Sequence, residues 1–286
     1  MDQRVETTLF SATTPVSMGA VGLCVRDLER MAAFYRDVIG LAEIGREADA
    51  VRLGVEGRVL VELLHRPGFT PEDPGSAGLF HTAFLLPDRA ALGAWLLKTA
   101  ERGYPLDGAA DHLVSEALYL TDPEGNGIEV YRDRPRTEWT MESGLVRMAS
   151  DPLDFDGVAH AGRAALPPGP WRAPEGSLVG HVHLRVGDIE AAKGFYGGRV
   201  GLDVIAAYPG ATFLSSGGYH HHIGANIWRS RGAGQRPQGR LGLAYVEFLA
   251  RDPAAVPAVG AGEARATGEG WTLADPWGTE LRITRK

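Results

Sequence analysis

The sequence predicts an α+β protein built from four βαβββ modules. Three observations predict it. An alternating apolar strand that ends at an Asp and runs into a helical pattern occurs four times. A turn followed by a strand with a Glu two residues after a Gly closes two of the four units. The chain also carries 38 Gly and 18 Pro, the supply of tight turns that many short strands need.

Taken in order, the first unit opens with the strand Ala20-Val-Gly-Leu-Cys-Val-Arg-Asp-Leu28. Its Asp suits a helix N-cap, and Met31-Ala-Ala-Phe-Tyr35 has the apolar spacing of an amphipathic helix that stops near Gly40. The second opens with His81-Thr-Ala-Phe-Leu-Leu-Pro-Asp88, continues as a helix over Arg89 to Arg102, and closes with Asp122-Pro-Glu-Gly-Asn-Gly-Ile-Glu-Val-Tyr131. The third repeats the first: His181-Val-His-Leu-Arg-Val-Gly-Asp-Ile189, then Ala191 to Tyr196, then a stop near Gly201. The fourth opens with Tyr245-Val-Glu-Phe-Leu-Ala-Arg-Asp252 and closes with Asp275-Pro-Trp-Gly-Thr-Glu-Leu-Arg-Ile283. Units therefore start near residues 18, 79, 179 and 241. We divide the chain into an N-terminal tail (1–17), a first pair of modules (18–135), a linker (136–177) and a second pair (178–286). The linker is rich in Pro, Gly and charge, with one short helix expected over Pro152 to Gly162.

Composition narrows the partners. The 286 residues are 44% hydrophobic with a net charge of -7, and no block of Lys and Arg marks a nucleic-acid or membrane surface. Met1 to Ser17 is polar and mixed, unlike a signal peptide, and Gly, Pro or charge interrupts every apolar run. Cys24 is the only cysteine, so no disulfide forms within the chain. We read it as a core residue and expect a cytoplasmic protein.

Four such units, with His at two first strands and Glu in two last strands, resemble the vicinal oxygen chelate superfamily. That superfamily includes glyoxalase I, fosfomycin-resistance proteins and type I extradiol ring-cleaving dioxygenases. The resemblance implies two cup-shaped, mainly antiparallel sheets. Leu79 to Asp88, Asp111 to Tyr131 and Gly217 to Asn226 look closest to bacterial catechol-2,3-dioxygenase-like proteins.

Alternation along each strand sorts its side chains between helix and cup. Thr82, Phe84 and Leu86 form the helix-facing row, leaving His81 in the cup; Ile128 and Val130 leave Glu129 there; Val182, Leu184 and Val186 leave His181 and His183. An Fe(II) that activates dioxygen wants two His and one carboxylate on one octahedral face. The resemblance implies ligands from first strands and a last strand of two paired units. Units two and three offer His81, His181 and Glu129, a full set. Units one and two offer Ala20, His81 and Glu129, and units three and four offer His181, Tyr245 and Glu280; each lacks one His. Units one and four would hold only Ala20, Tyr245 and Glu280. The expected working cup therefore joins the middle units, with Fe(II) as cofactor and Mn, Zn or Ni as alternatives.

Extradiol chemistry needs a proton taken from the diol and later returned, a task suited to imidazole. In Tyr219-His-His-His-Ile-Gly-Ala-Asn226, the core row Ile223, Ala225 and Ile227 places His220, His222 and Asn226 in the cup. We choose His222, with His221 as the fallback if the strand end slips; the run could also donate a metal ligand. His112 and Tyr119 match the His and Tyr that hydrogen-bond bound catecholate and dioxygen in such enzymes, against the competing reading of Tyr119 as core. The implied reaction is catechol 2,3-type ring cleavage of a small aromatic diol by dioxygen. The rivals are a glyoxalase-like isomerase or thiol transferase, marked by a fourth protein ligand, and a non-catalytic aromatic- or antibiotic-binding protein. The sequence leaves a homo-oligomer open.

Overall fold

The computed structural model describes residues 9–286; the first eight residues of the tail lie outside it. A short helix α1 (Phe10–Thr13) precedes the first unit, β1 (Val16–Val25), α2 (Leu28–Phe34), β2 (Ala42–Glu47), β3 (Ala50–Val55) and β4 (Arg58–His65). The second unit is β5 (Gly78–Leu86), α3 (Arg89–Glu101), β6 (Gly108–Asp111), β7 (Ser115–Thr121) and β8 (Gly127–Asp133). The linker forms a small hairpin, β9 (Met141–Glu142) and β10 (Leu145–Val146), and helix α4 (Phe155–Arg163). The third unit is β11 (Leu178–Arg185), α5 (Ile189–Ala192), β12 (Asp203–Tyr208), β13 (Ala211–Ser215) and β14 (Ile223–Asn226). The fourth is β15 (Gly242–Ala250), α6 (Pro257–Gly260), β16 (Arg265–Thr267), β17 (Gly270–Ala274) and β18 (Glu280–Arg285). Among the described residues no helix is long and apolar enough to cross a membrane.

The repeated Asp has one job in every unit. Asp27, Asp88, Asp188 and Asp252 each accept a hydrogen bond from a backbone N–H in the first turn that follows. Gly40 and Gly201 end the helical segments of units one and three in the left-handed region, at φ 91° and 84°.

The strands form two eight-stranded sheets. One has the order β12-β13-β14-β11-β5-β8-β7-β6 and joins units two and three; the other, β16-β17-β18-β15-β1-β4-β3-β2, joins units one and four. This is the pairing that the ligand count favours. In each sheet the two first strands run antiparallel at the centre and each lies parallel to its own unit's last strand.

Units adjacent in sequence are tied differently. Tyr35 donates its hydroxyl to Asp122 at 3.1 Å, and Tyr196 donates to Asp275 at 2.9 Å. The same Asp residues accept backbone N–H groups of their own turns, from Glu124 and Asn126 and from Trp277 and Thr279. The repeated Asp-Pro turn is thus both a turn former and a clasp between neighbours. The linker is packed onto the fold: Trp171 donates to the Ile39 carbonyl, and α4 crosses α3 where Gly93 meets Gly162.

Candidate metal centre

His81 on β5, His181 on β11 and Glu129 on β8 converge in the cup of units two and three. Ala83 sits beside both Glu129 and His181 in the two ladders, so one strand position brings the pair to its flanks. His81 Nε2 lies 3.1 Å from Glu129 Oε2, His181 Nε2 lies 3.3 Å from the same oxygen, and the two imidazole nitrogens are 3.4 Å apart. An ion about 2.1–2.2 Å from each atom would see all three on one side, at angles near those of an octahedral face.

Two further observations fit a cation. Glu129 Oε1 and His181 Nδ1 are buried without a hydrogen-bond partner, a costly state that a bound ion and its water or substrate would relieve at the carboxylate. The donors are imidazole and carboxylate, the set suited to Fe and its neighbours rather than to thiolate-seeking ions. Among the described residues this is the one group of three or more such side chains close enough to hold a metal.

Electrostatics favour the metal-binding protonation states. Burial drives His181 down to about 4, against the pull of Glu129, so its ring is neutral at pH 7. Burial would raise the Glu129 carboxyl, but His181 and His81 beside it outweigh that and hold it well below the usual carboxylate range.

His183 is not part of this group: its Nε2 is 3.1 Å from the Asn226 amide, and burial keeps it neutral. In unit three the position that mirrors Glu129 is Gly224, opposite His183. A Cβ there would lie 2.9 Å from the His183 ring. The fourth corner of the centre therefore has no side chain to offer.

Above the group lies a cavity of about 410 Å³. His112 and Tyr119 both line it, joined by a 2.6 Å hydrogen bond, and the other His112 nitrogen meets the Ala149 carbonyl at 2.6 Å. Burial, then Glu129, raise the Tyr119 hydroxyl well above its ordinary value, so it is kept protonated. Phe80, Tyr208 and Trp228 stand at the mouth, 36%, 37% and 54% exposed.

The expectation for His222 is corrected. His222 does not line the cavity; its Nε2 faces Thr14, and its Nδ1 receives the Ser216 N–H. The reason is local. His222 continues the ladder, its N–H on the Leu214 carbonyl and its ring against the Ser215 hydroxyl, but before the start of β14 the ring packs against Ser11 and Thr14 and not into the cavity. His221 lines the cavity instead, its ring centroid 4.0 Å from that of His181.

Sequence reasoning missed five contributors. Asp133 lies on the same face of β8 as Glu129 and Tyr131, and the alternation that selects Glu129 could have found it. Met148 and Ala149, in the linker, wall the cavity, and Phe80 and Trp228 guard its mouth; no periodic signal marks them.

The second cup is built on the same register with different chemistry. Gly22 sits beside both Glu62 and Tyr245, as Ala83 sits beside Glu129 and His181. Glu62, not Glu280, is therefore the counterpart of Glu129. Glu62 accepts from Tyr245 at 2.9 Å and pairs with Arg52 at 2.8 Å, while the Arg282 guanidinium stacks 3.4 Å above the Tyr245 ring. Arg282 occupies the place that Gly224 leaves empty in the other cup.

A family model described as the Glyoxalase/Bleomycin resistance protein/Dioxygenase superfamily matches residues 17–130 and 178–255. A Bacillus subtilis (strain 168) protein named catechol-2,3-dioxygenase is 42% identical over 234 residues, covering 80% of each chain. In three dimensions, a candidate dioxygenase from Bacillus subtilis superposes with a TM-score of 0.64 at 12% identity, over 95% of this chain and 85% of that one. Glyoxalase I from Zea mays superposes at 0.58 and 16% identity, over 94% and 92%. These two likenesses establish the fold alone.

Proposed function

The chain belongs to the glyoxalase/bleomycin resistance protein/dioxygenase superfamily, and from that premise we propose that it is an Fe(II)-dependent extradiol dioxygenase of the catechol 2,3 type. The observation that carries this reading is the three-sided His81, His181, Glu129 group with an open fourth corner facing a cavity that three further imidazoles, His112, His183 and His221, also line. A glyoxalase-like isomerase would be expected to close that corner with another ligand, and Gly224 cannot.

Bound at this group, Fe(II) would supply the Lewis acid for both diol oxygens and a path for electrons from the diol to dioxygen. The protein's own residues do the rest. His221, held neutral because burial lowers it well below the usual imidazole value, takes a proton from a diol hydroxyl and returns it as the ring opens. The paired His112 and Tyr119 present a hydroxyl donor to the oxygens above the metal face. Phe80, Phe213, Trp228 and Met148 stack on the ring and exclude water. Both atoms of dioxygen enter the product and no outside reductant is consumed.

No Lys or Arg lines the cavity among the described residues, and its only carboxylate is Glu129. A catechol with an uncharged or apolar substituent is thus the substrate class supported, over one carrying a carboxylate. Mixing Fe(II)-loaded protein with catechol, 4-methylcatechol and 3,4-dihydroxybenzoate in air tests both statements. Expected are dioxygen uptake and a yellow muconic-semialdehyde-type product, with kcat/KM at least about tenfold higher for the uncharged diols, the ratio of about 1.4 kcal/mol of unpaired charge. No product and no uptake over a panel of diols and hydroquinones would refute the dioxygenase reading; equal use of the carboxylated diol would refute the substrate class.

A further inference from the structure

Asp133 and His220 form a chain that ends on His221. His220 Nε2 lies 2.8 Å from Asp133 Oδ1, and His220 Nδ1 lies 2.8 Å from His221 Nδ1. We propose that Asp133, acting through His220, fixes the tautomer of His221 and is a positioning residue for ring cleavage. The functional part of this proposal rests on the dioxygenase reading.

The argument is a count of hydrogens. A carboxylate only accepts, so the hydrogen between Asp133 and His220 belongs to His220 Nε2. With its one ring hydrogen on Nε2, His220 has a lone pair at Nδ1. The His221 nitrogen facing it must be the donor, so His221 carries its hydrogen on Nδ1. Its Nε2 is left with a lone pair, on a ring that lines the cavity. That is the tautomer a base needs: the diol O–H bond breaks, an Nε2–H bond forms, and the same proton later goes back to the opened product. Nothing is oxidised or reduced in this step.

The surroundings hold the chain in place. His220 is fully buried, with Tyr219 at 4.1 Å between ring centroids and Trp139 at 5.3 Å. Tyr219 also donates to Asp133 Oδ1 at 3.1 Å, and its hydroxyl is 2.8 Å from that of Tyr131. A ring so packed cannot turn over to exchange its nitrogens. In serine proteases a buried Asp sets the tautomer of the catalytic base by the same logic, and there the Asn variant costs about 10⁴-fold.

Nitrogen-15 NMR of the histidines, in metal-free and Zn-loaded protein, tests the tautomer without any turnover. The wild type is expected to show His221 as Nδ1–H, and Asp133→Asn, whose amide can donate to His220 Nε2, is expected to show Nε2–H. With Fe(II), Asp133→Asn should lose about 10²–10⁴-fold in kcat while catechol still binds under anaerobic conditions with a Kd within about threefold of wild type. Asp133→Glu should recover part of the loss. A wild-type His221 protonated on Nε2, or an Asp133→Asn protein with unchanged tautomer and kcat, would overturn the proposal. If the wild type cleaves no diol, the dioxygenase reading fails by itself, and the NMR result still decides the tautomer.

Discussion

His221 and His222 are chain neighbours, one lining the cavity and the other held by Thr14 and Ser216, and they should respond to substitution in opposite ways. His221→Ala is expected to lower kcat by about 10²–10⁴-fold with metal content unchanged, measured by dioxygen uptake and metal analysis. His222→Gln should keep most activity and change the pH dependence of stability instead. Burial pushes His222 down to about 3, with Ser11 pulling it up and His220, Lys286 and His181 adding to the fall. The folded state therefore leaves it neutral while the unfolded chain protonates it below the ordinary 6.5. The unfolded state binds more protons in that window, so His222 costs stability as pH falls from about 6.5 toward 3, at about 1.4 kcal/mol per pH unit. Urea unfolding of the metal-free protein at pH 7.5 and 5.0 should show a smaller drop for His222→Gln; an identical drop would contradict the assignment. At this scale the sequence was legible where strands are regular. Parity places His81, Glu129 and His181 in the cup together with His183, and the family resemblance picks the set; His222 keeps its ladder bonds to Leu214 and Val182 but meets Ser11 and Thr14, which parity does not reveal.

At the scale of elements, two close approaches position the site. Gly180 is the extra residue in the register shift of β11 opposite β5, and a Cβ there would come within 1.8 Å of the Tyr131 hydroxyl. That bulge sets His181 beside Ala83 and His183 beside His81. The second approach is between α3 and α4. A Cβ on Gly93 would lie 2.0 Å from the Val158 carbonyl oxygen and 2.6 Å from the Gly162 nitrogen. Gly93→Ala should force the linker helix away and cost about 3 kcal/mol, read as a Tm lower by roughly 5 °C or more; an unchanged Tm would mean that α4 does not pack there in solution. The helix itself was readable in the sequence, expected over Pro152 to Gly162 and found over Phe155–Arg163. Its role was not. Composition marks 136–177 as a connector, while the bridge between Asp111 and Asp151 brings Met148 and Ala149 to the cavity wall.

Over the whole molecule, the four units close into a ring of contacts: sheets join two to three and four to one, and the Tyr35–Asp122 and Tyr196–Asp275 clasps join one to two and three to four. The fold was legible because each of these devices repeats in the sequence. The pairing of units two with three and one with four was legible from the count of histidines, but not what fills the second cup. In one cup Gly224 leaves a corner open beside two imidazoles. In the other, a tyrosine faces Glu62 and Arg282 supplies the cation from within the chain. The protein should therefore hold one ion, between the middle units. Metal analysis of protein purified without oxygen and loaded with Fe(II) tests this most directly, in wild type, His81→Ala and Glu62→Gln. One Fe(II) per chain is expected for wild type and Glu62→Gln, and close to none for His81→Ala. Two ions per chain, or one that survives His81→Ala and is lost in Glu62→Gln, would contradict the account.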